Sequence, residues 1–519
     1  MDKDLQAIQQ ARDLVERAFE AQRAFADYSQ DRIDSIVYGL ARAGLREAEH
    51  LARMAVQETG YGNVEDKILK NRFGAETVYQ GIKDLKTAGV IREDRVNGII
   101  EIASPVGVIA AVIPSTNPTS TAIFKALIAL KSRNSIVFSP HPAATQCVLE
   151  TARILMEAAR AAGAPDEIIQ CMSVTTLEGT QELMKHRKTA LILATGGLGL
   201  VRAAYSAGKP AYGVGPGNVP AYIESSANVP KAVSDVITGK CFDYGTLCCS
   251  EQAIVTDEAI REKVLEEVKS QGGYVLNETE TAVLSKLVVT PNRSINTQIV
   301  GRAATVIAGM AGIKVPEKTR ALVAPLKGVG RDFPLSMEKL SPILAFYVEK
   351  DWKAACNRCI ELLNFGGLGH TLAIHSQNDE IIRQFGLYKP VSRIVVNTQS
   401  SLGAVGYTTK LFPSMTLGCG TMGGNISSDN ISPLHLINVK RIAYARSAQS
   451  TSDDSAPTRG SVRSSQMAEL AGQPVRFVCE EDVRSALVKG AKIYINPKTV
   501  ITPSARDLAN EKDVLVIVP

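Results

Sequence analysis

Two adjacent thiols, Cys248 and Cys249, lie in the stretch Phe242-Asp243-Tyr244-Gly245-Thr246-Leu247-Cys248-Cys249-Ser250-Glu251-Gln252. A glycine stands three residues before the first of them, and the apolar run Ala253-Ile254-Val255 that follows reads as a strand. A thiol on a glycine-containing turn ahead of a strand is presented to a ligand, and as a thiolate it attacks electrophilic carbon. Free cysteine is also among the most buried residue types and is then inert. The local sequence chooses neither between these readings nor between the two cysteines.

Other residues carry weaker signals. Thr195-Gly196-Gly197-Leu198-Gly199 lets backbone approach a phosphate, but Arg202 stands where a dinucleotide fingerprint has its third glycine. His370, in Gly366-Gly367-Leu368-Gly369-His370-Thr371, is a lone histidine, a residue more often structural than catalytic. Cys356-Asn357-Arg358-Cys359 has metal-ligand spacing. It falls in the helical pattern DWKAACNRCIELL without a second ligand pair, so it reads as core packing and no metal is expected. The glycine-rich Leu417–Asn425 reads either as plain chain turning or as a wall around a ligand.

The elements that must position these groups are legible as an alternation. At about 150 residues per domain, 519 residues make about three units. The first ~90 residues carry apolar groups at helical spacing. Asn97-Gly98 predicts a tight type I′ hairpin within 95–102. Val106–Ile113 is an apolar run of the kind that forms a parallel strand covered on both faces. It stops at Pro114-Ser115-Thr116-Asn117-Pro118 and is followed by a helix. Strands at 135–139, 168–174 and 190–194 alternate with helices at 143–162 and 177–184, which implies a doubly wound α/β sheet. Ligands bind such sheets beyond the carboxyl ends of the strands, here 114–118, Ser139-Pro140-His141-Pro142 and 195–199. Lys209–Pro220 reads as a turn-rich crossover to a second α/β series with strands at 221–224, 253–256, 305–307, 322–324 and 343–348. Residues 447–466 have linker composition, and 467–519 regain order as a separate small unit with helices at 480–489 and 504–510.

Composition narrows the class. A net charge of +5 is too dilute for nucleic acid, and no run approaches the ~18 apolar residues of a membrane span. Nine cysteines without framework spacing point to a reducing, cytoplasmic-type compartment.

Several motifs together resemble the aldehyde dehydrogenase superfamily, and within it the CoA-acylating branch. FDYGTLCCSEQ is similar to that branch's Phe-Asp-Asn-Gly-x-x-Cys-x-Ser-Glu-Gln, which places the nucleophile at Cys248. Asn117 matches the family's oxyanion-binding Asn, and Glu338, in Glu338-Lys339-Leu340-Ser341-Pro342, its ribose-binding Glu. TLGCGTMGGN and SPLHLINVKRIAYA resemble the branch's C-terminal segment, so the likeness covers roughly 1–446. Tyr244 departs from the branch's Asn. The resemblance implies an aldehyde dehydrogenase-like fold, with a Rossmann-type cofactor domain (1–91 and 105–220) and an α/β catalytic domain (221–430). A β-hairpin oligomerisation arm (92–104 with 431–446) would build a dimer or tetramer. NAD and CoA would share one cleft lined by Pro114, Ser115, Thr116, Ser139, Pro140, His141, Thr195, Gly196, Gly197, Gly199, Glu338 and His370. NAD is expected over NADP, because Ser139 stands where many relatives carry Lys.

Hydrolytic relatives carry a general-base Glu at a position that Val214 occupies here, when aligned on Pro220. Without it the expected acyl acceptor is CoA, and the expected substrate is propionaldehyde or acetaldehyde. The 467–519 unit resembles extensions of aldehyde dehydrogenases packed in bacterial microcompartments. Its helix 480–489 would dock on a shell or core partner through Val483, Ala486 and Leu487. One alternative is an acyl-phosphate reductase of the same superfamily, against which Cys-Cys-Ser-Glu-Gln and TLGCGTMGGN speak. Another is a non-catalytic scaffold, against which the intact nucleophile motif speaks.

Overall fold

A computed structural model describes residues 2–290, 294–445, 474–510 and 513–518. The linker reading of 447–466 lies outside them. The amino-terminal periodicity folds as expected. Lys3–Phe25 is capped by the Asp2 carboxylate and buries Ala7, Ala11, Leu14, Val15 and Ala18 on one face. Gln30–Arg46 and Ala48–Thr59 follow, and then Val64–Arg72, capped by Asn63. This last helix is unusual in that the side chains it buries are Lys67, Lys70 and Asn71.

Two parallel sheets carry the rest. The first has five strands in the order Ile169–Cys171, Ser135–Pro140, Val108–Ile113, Thr189–Thr195 and Ala211–Val214. Its central strand is buried throughout, as its unbroken apolar run requires. The second has seven strands, in the order Gly273–Val275, Ala321–Pro325, Ile343–Glu349, Glu251–Asp257, Val219–Ile223, Gly369–His375 and Val391–Val396. A third, antiparallel sheet pairs Gly89–Asp94 with Ile99–Pro105, and the latter with Ile437–Ala443. Asn134 ties this sheet to the first one. Its Oδ1 accepts from the Val106 and Gly107 N–H groups at 2.8 and 2.9 Å, and its Nδ2 donates to the Leu436 carbonyl at 2.8 Å.

Four expectations need correction. The hairpin is not a two-residue type I′ turn: four residues, 95–98, join its strands, and of the Asn-Gly pair only Gly98 is left-handed (φ 65°). The Asp94 carboxylate takes over the turn by accepting from both the backbone and the side chain of Asn97 at 3.0 Å. Lys209–Pro220 is not all crossover, since Ala211–Val214 completes the first sheet. Residues 305–307 are not a strand. Ala304–Met310 is a helix that buries Ala304, Ile307 and Ala308 against Leu284, Val288 and Ile299. One-sided packing at helical spacing overrides the β preference of Thr-Val-Ile. Finally, Val483 and Ala486 are not a docking face. They are buried, with Leu487 packed beside them, in a core made with Val478, Ile493, Ile495, Ala505, Ala509 and Val514.

That last core belongs to the small carboxyl-terminal unit. Its helices, Glu480–Lys489 and Pro503–Asn510, lie with two parallel strand pairs, Phe477–Val478 with Val500–Ile501 and Ile493–Ile495 with Leu515–Ile517. Arg484 reaches Asp31 at 2.7 Å and Arg32 reaches Asp507 at 3.5 Å, which sets the unit beside the Gln30–Arg46 helix.

Candidate active site

The helix Val229–Cys241 ends just before the cysteine loop. The chain then turns through Asp243 (φ 46°, ψ 38°) and Tyr244 (φ 52°, ψ 36°), both left-handed without being glycine. Such conformations cost about 1–2 kcal/mol each, so something must hold them. The anchor is the Asp243 carboxylate, which is fully buried. One oxygen accepts from the Asn63 N–H at 3.0 Å. The other accepts from Lys67 at 3.0 Å, from Thr246 Oγ1 at 2.5 Å and, in a short contact, from Lys70. The Asp243 N–H donates to Asp66 at 2.7 Å. Burial raises the Asp243 carboxyl, but Lys70 and Lys67 outweigh it and hold it below the usual range. Burial, with Lys67 adding, lowers the Lys70 ammonium to about 7 against the pull of Asp243.

Lys70 also orients Asn117, the residue just before the helix Pro118–Lys131. Its Nζ donates to Asn117 Oδ1 at 2.6 Å. An ammonium can only donate, so this bond decides which end of the amide is oxygen. The amide nitrogen therefore faces the other way, toward Thr116 Oγ1 at 3.0 Å and the Thr246 carbonyl at 3.3 Å, beside the cysteine loop.

The structure separates the two thiols. Cys249 is fully buried and its Sγ donates to the Ser401 carbonyl at 3.3 Å, whereas Cys248 is partly exposed. The Cys249 thiol, then His370 and Arg393, hold the Cys248 thiol well below the ordinary range against the opposing effect of burial. Cys249 is pushed well above it by Cys248 and by burial. The rest of the motif anchors the loop. Gln252 Oε1 accepts from Lys240 Nζ at 3.0 Å and from the Lys339 N–H at 3.2 Å, and Glu251 accepts from the Ser400 N–H at 2.5 Å.

Glu338 and His370 converge on the same place. Glu338 accepts from the Gly217 N–H at 3.0 Å. Burial, and secondarily the Cys248 thiolate, raise its carboxyl to about 8. Gly217 passes so close that a Cβ there would stand 2.0 Å from the Cys248 carbonyl oxygen and 3.3 Å from the His370 ring, which only glycine permits. His370 is buried, with Nδ1 3.0 Å from Thr371 Oγ1 and Nε2 without a partner. Arg393 clamps the glycine-rich 417–430 segment to this strand through the carbonyls of His370 (3.2 Å), Gly418 (2.5 Å) and Ser428 (3.1 Å). That segment is thus anchored to the strand.

The loop residues expected to line a cofactor lie at the carboxyl ends of three neighbouring strands, where Ile113 pairs with Pro140 and Val112 with Ala194. Pro114, Ser115 and Thr116 lead to Asn117, and the Thr116 carbonyl is fixed by Lys67 at 3.1 Å. His141 is exposed and its Nδ1 accepts from the Ala143 N–H. Thr195 has a buried Oγ1 without a partner. Gly196 contacts Leu200, whereas Gly197 and Gly199 leave open space where a Cβ would stand. Ser139 differs: it is buried, and its hydroxyl is engaged by Thr180 Oγ1 at 2.8 Å.

Sequence reading missed Lys67, Lys70, Gly217 and Arg393. Two lysines three apart on a helix look like a solvated face, and their burial comes only from tertiary packing.

Two measurements check this arrangement. Asp243→Asn leaves two buried ammoniums without a carboxylate and should lower unfolding stability by about 3–5 kcal/mol in urea titration. Iodoacetamide should alkylate Cys248 with a pH midpoint below the ~8.5 of a free thiol. Cys249→Ala should move that midpoint up, because a group favouring the thiolate is removed.

The aldehyde dehydrogenase family profile matches residues 5–322. Bifunctional aldehyde-alcohol dehydrogenase AdhE of Escherichia coli K12 is 44% identical over 435 residues, 83% of this chain and 49% of that protein. The chain thus spans about half the length of the first curated relatives it matches. An acetylating aldehyde dehydrogenase from Geobacillus thermoglucosidasius is 53% identical with a TM-score of 0.85, covering 88% of this chain and 100% of that one. A Rhodopseudomonas palustris propionaldehyde dehydrogenase, solved with bound CoA and an acylated cysteine, is 30% identical with a TM-score of 0.77, covering 84% and 97%. By profile, identity and fold together, this chain belongs to the aldehyde dehydrogenase family.

Proposed function

We propose that the chain oxidises a short aldehyde, propionaldehyde or acetaldehyde, to its CoA thioester with a nicotinamide dinucleotide, through Cys248. The observation that carries this reading is the partly exposed, thiolate-favouring Cys248 beside an Asn117 amide whose orientation is set by Lys70. The residues present fit a dinucleotide: the unpartnered Thr195 hydroxyl and the open approaches at Gly197 and Gly199 edge the first sheet, and Glu338 stands by the nucleophile. When bound, the nicotinamide supplies the acceptor for the hydride that leaves the substrate carbon.

The chain's own residues do the rest. The Cys248 thiolate bonds to the aldehyde carbon, and the carbonyl electrons move onto oxygen. The Asn117 amide N–H donates to that oxyanion, and the buried positive charge of Lys70 polarises the amide from its far side. Loss of hydride leaves a thioester on Cys248. The CoA thiol then takes the acyl group while Cys248 departs as thiolate, a good leaving group because its pKa is depressed. The unpartnered Nε2 of His370 is placed to hold the proton of the incoming thiol. A thiol near pKa ~8.5 needs far less activation than water, and Val214, where hydrolytic relatives have Glu, is a buried apolar side chain. The acetylating relative supports the same acceptor.

NADH absorbance tests the reading. Propanal, NAD and CoA together should give NADH, and omission of CoA should abolish turnover. Absence of NADH with all three sinks the proposal, and acceptance of phosphate in place of CoA would favour the acyl-phosphate reductase reading. Cys248→Ala should lose at least ~10³-fold in kcat, and Asn117→Ala about 10²-fold.

The antiparallel sheet built from 89–105 and 437–443 is proposed to pair subunits into a dimer or tetramer. The carboxyl-terminal unit is proposed to address the enzyme to a microcompartment. Docking would fall to its exposed apolar residues, Phe477, Val488, Val500 and Ile517, because Val483 and Ala486 face inward. Deleting 467–519 should leave kcat within about twofold, since the unit carries none of the site residues, and should abolish co-sedimentation with microcompartments.

A further inference from the structure

Cys356 and Cys359 lie on the buried face of the helix Trp352–Phe365. They are not equivalent. Cys359 is fully buried, and burial pushes its thiol up to about 12. Cys356 retains 9% exposure and receives a short hydrogen bond from Lys389, the residue that ends the helix Asp379–Tyr388. Lys389 is only 5% exposed, and its Nζ lies 4.0 Å from the centre of the Phe385 ring. Among the described residues Cys356 Sγ is its only hydrogen-bonding partner, and no carboxylate pairs with it.

A buried ammonium without a carboxylate is expensive. The contact sets the Lys389 nitrogen directly against the Cys356 sulfur. A cysteine sulfur is what a peroxide oxidises, and a lysine nitrogen held against it is the nucleophile that condenses with the product. Cys356 keeps a small exposed fraction, and Lys389 is the nitrogen in direct contact with its sulfur.

We propose that Lys389 and Cys356 form a peroxide-responsive crosslinking site, at which a covalent N–S bond joins the Trp352–Phe365 helix to the turn before Val391–Val396. In the first step the Cys356 thiol gives two electrons to hydrogen peroxide, yielding a sulfenic acid and one water. In the second the Lys389 amine attacks that sulfur, an N–S bond forms, and hydroxide leaves with the amine proton as a second water. Two equivalents of an external thiol reverse it. The first attacks sulfur, releases the amine and leaves a mixed disulfide, and the second releases Cys356 and departs as the oxidised disulfide.

The bond would join two elements that frame the site. Pro390, next to Lys389, accepts from the Gly369 N–H at 2.8 Å through its carbonyl. Leu362, on the helix of Cys356, accepts from Asn218 Nδ2 at 2.9 Å. Oxidation thus pins the strand of His370 and the Gly217–Asn218 link from behind, without consuming a residue of the site.

The test uses the full chain in a Cys248→Ala background, so that the site thiol adds nothing. After treatment with hydrogen peroxide, non-reducing peptide mass spectrometry should find the Cys356 and Lys389 peptides joined, about 2 Da lighter than their sum for the two hydrogens lost. The thermal midpoint should rise by roughly 3 °C or more, and dithiothreitol should reverse both changes. Lys389→Arg keeps a cation that does not condense, and Cys356→Ser removes the sulfur; each should abolish the joined peptides and the shift. A Cys356 that stays a thiol, stops at sulfinic acid or pairs with Cys359 overturns the proposal. So does a midpoint shift that survives in Lys389→Arg.

Discussion

One buried carboxylate sets the geometry on which the site depends. Asp243 lies at the bottom of the cysteine loop and is shared by the buried Lys67 and Lys70 of one helix. Three consequences follow from this single ion cluster. The left-handed turn at 243–244 is held against its strain. The helix Val64–Arg72 is fixed to the loop. Lys70 Nζ donates to Asn117 Oδ1, which turns the amide nitrogen toward Thr116 and the cysteine loop.

The sheets were legible because unbroken apolar runs and glycine-rich breaks have few alternative readings. Val108–Ile113 and its neighbours needed no tertiary information. Thr305–Ile307 did: three β-formers became a helix because one face had a core to fill. The hairpin differed for a related reason, since the Asp94 side chain outcompeted the Asn-Gly preference for a two-residue turn. At the site, Cys248, Asn117 and Glu338 were singled out through motif likeness and His370 only as a lone histidine in a glycine-rich stretch; Cys248, Glu338 and His370 meet at Gly217, and Asn117 reaches the cysteine loop at the Thr246 carbonyl. The groups that position them were not legible. Lys67, Lys70 and Arg393 act through burial, and a charged residue's burial depends on what packs over it, which no local pattern encodes.

The paired thiols divide one task. A lone buried cysteine would be inert, and a lone exposed one would titrate with free thiols. Here the inner thiol is held well above the ordinary range, with its proton on the Ser401 carbonyl, while the outer one beside it is held well below.

The last strand of the first sheet and the strand Val219–Ile223 of the second, which lies beside its central strand Glu251–Asp257, are joined by only four residues, 215–218. Gly217 in that link touches the Cys248 backbone, bonds to Glu338 and abuts His370. The link between the two sheets therefore also lies against the Cys248 loop. A rotation that opens one lobe from the other must either bend these four residues or carry the Cys248 loop with it. Movement of one sheet against the other and the attitude of the Cys248 loop are, mechanically, a single coordinate.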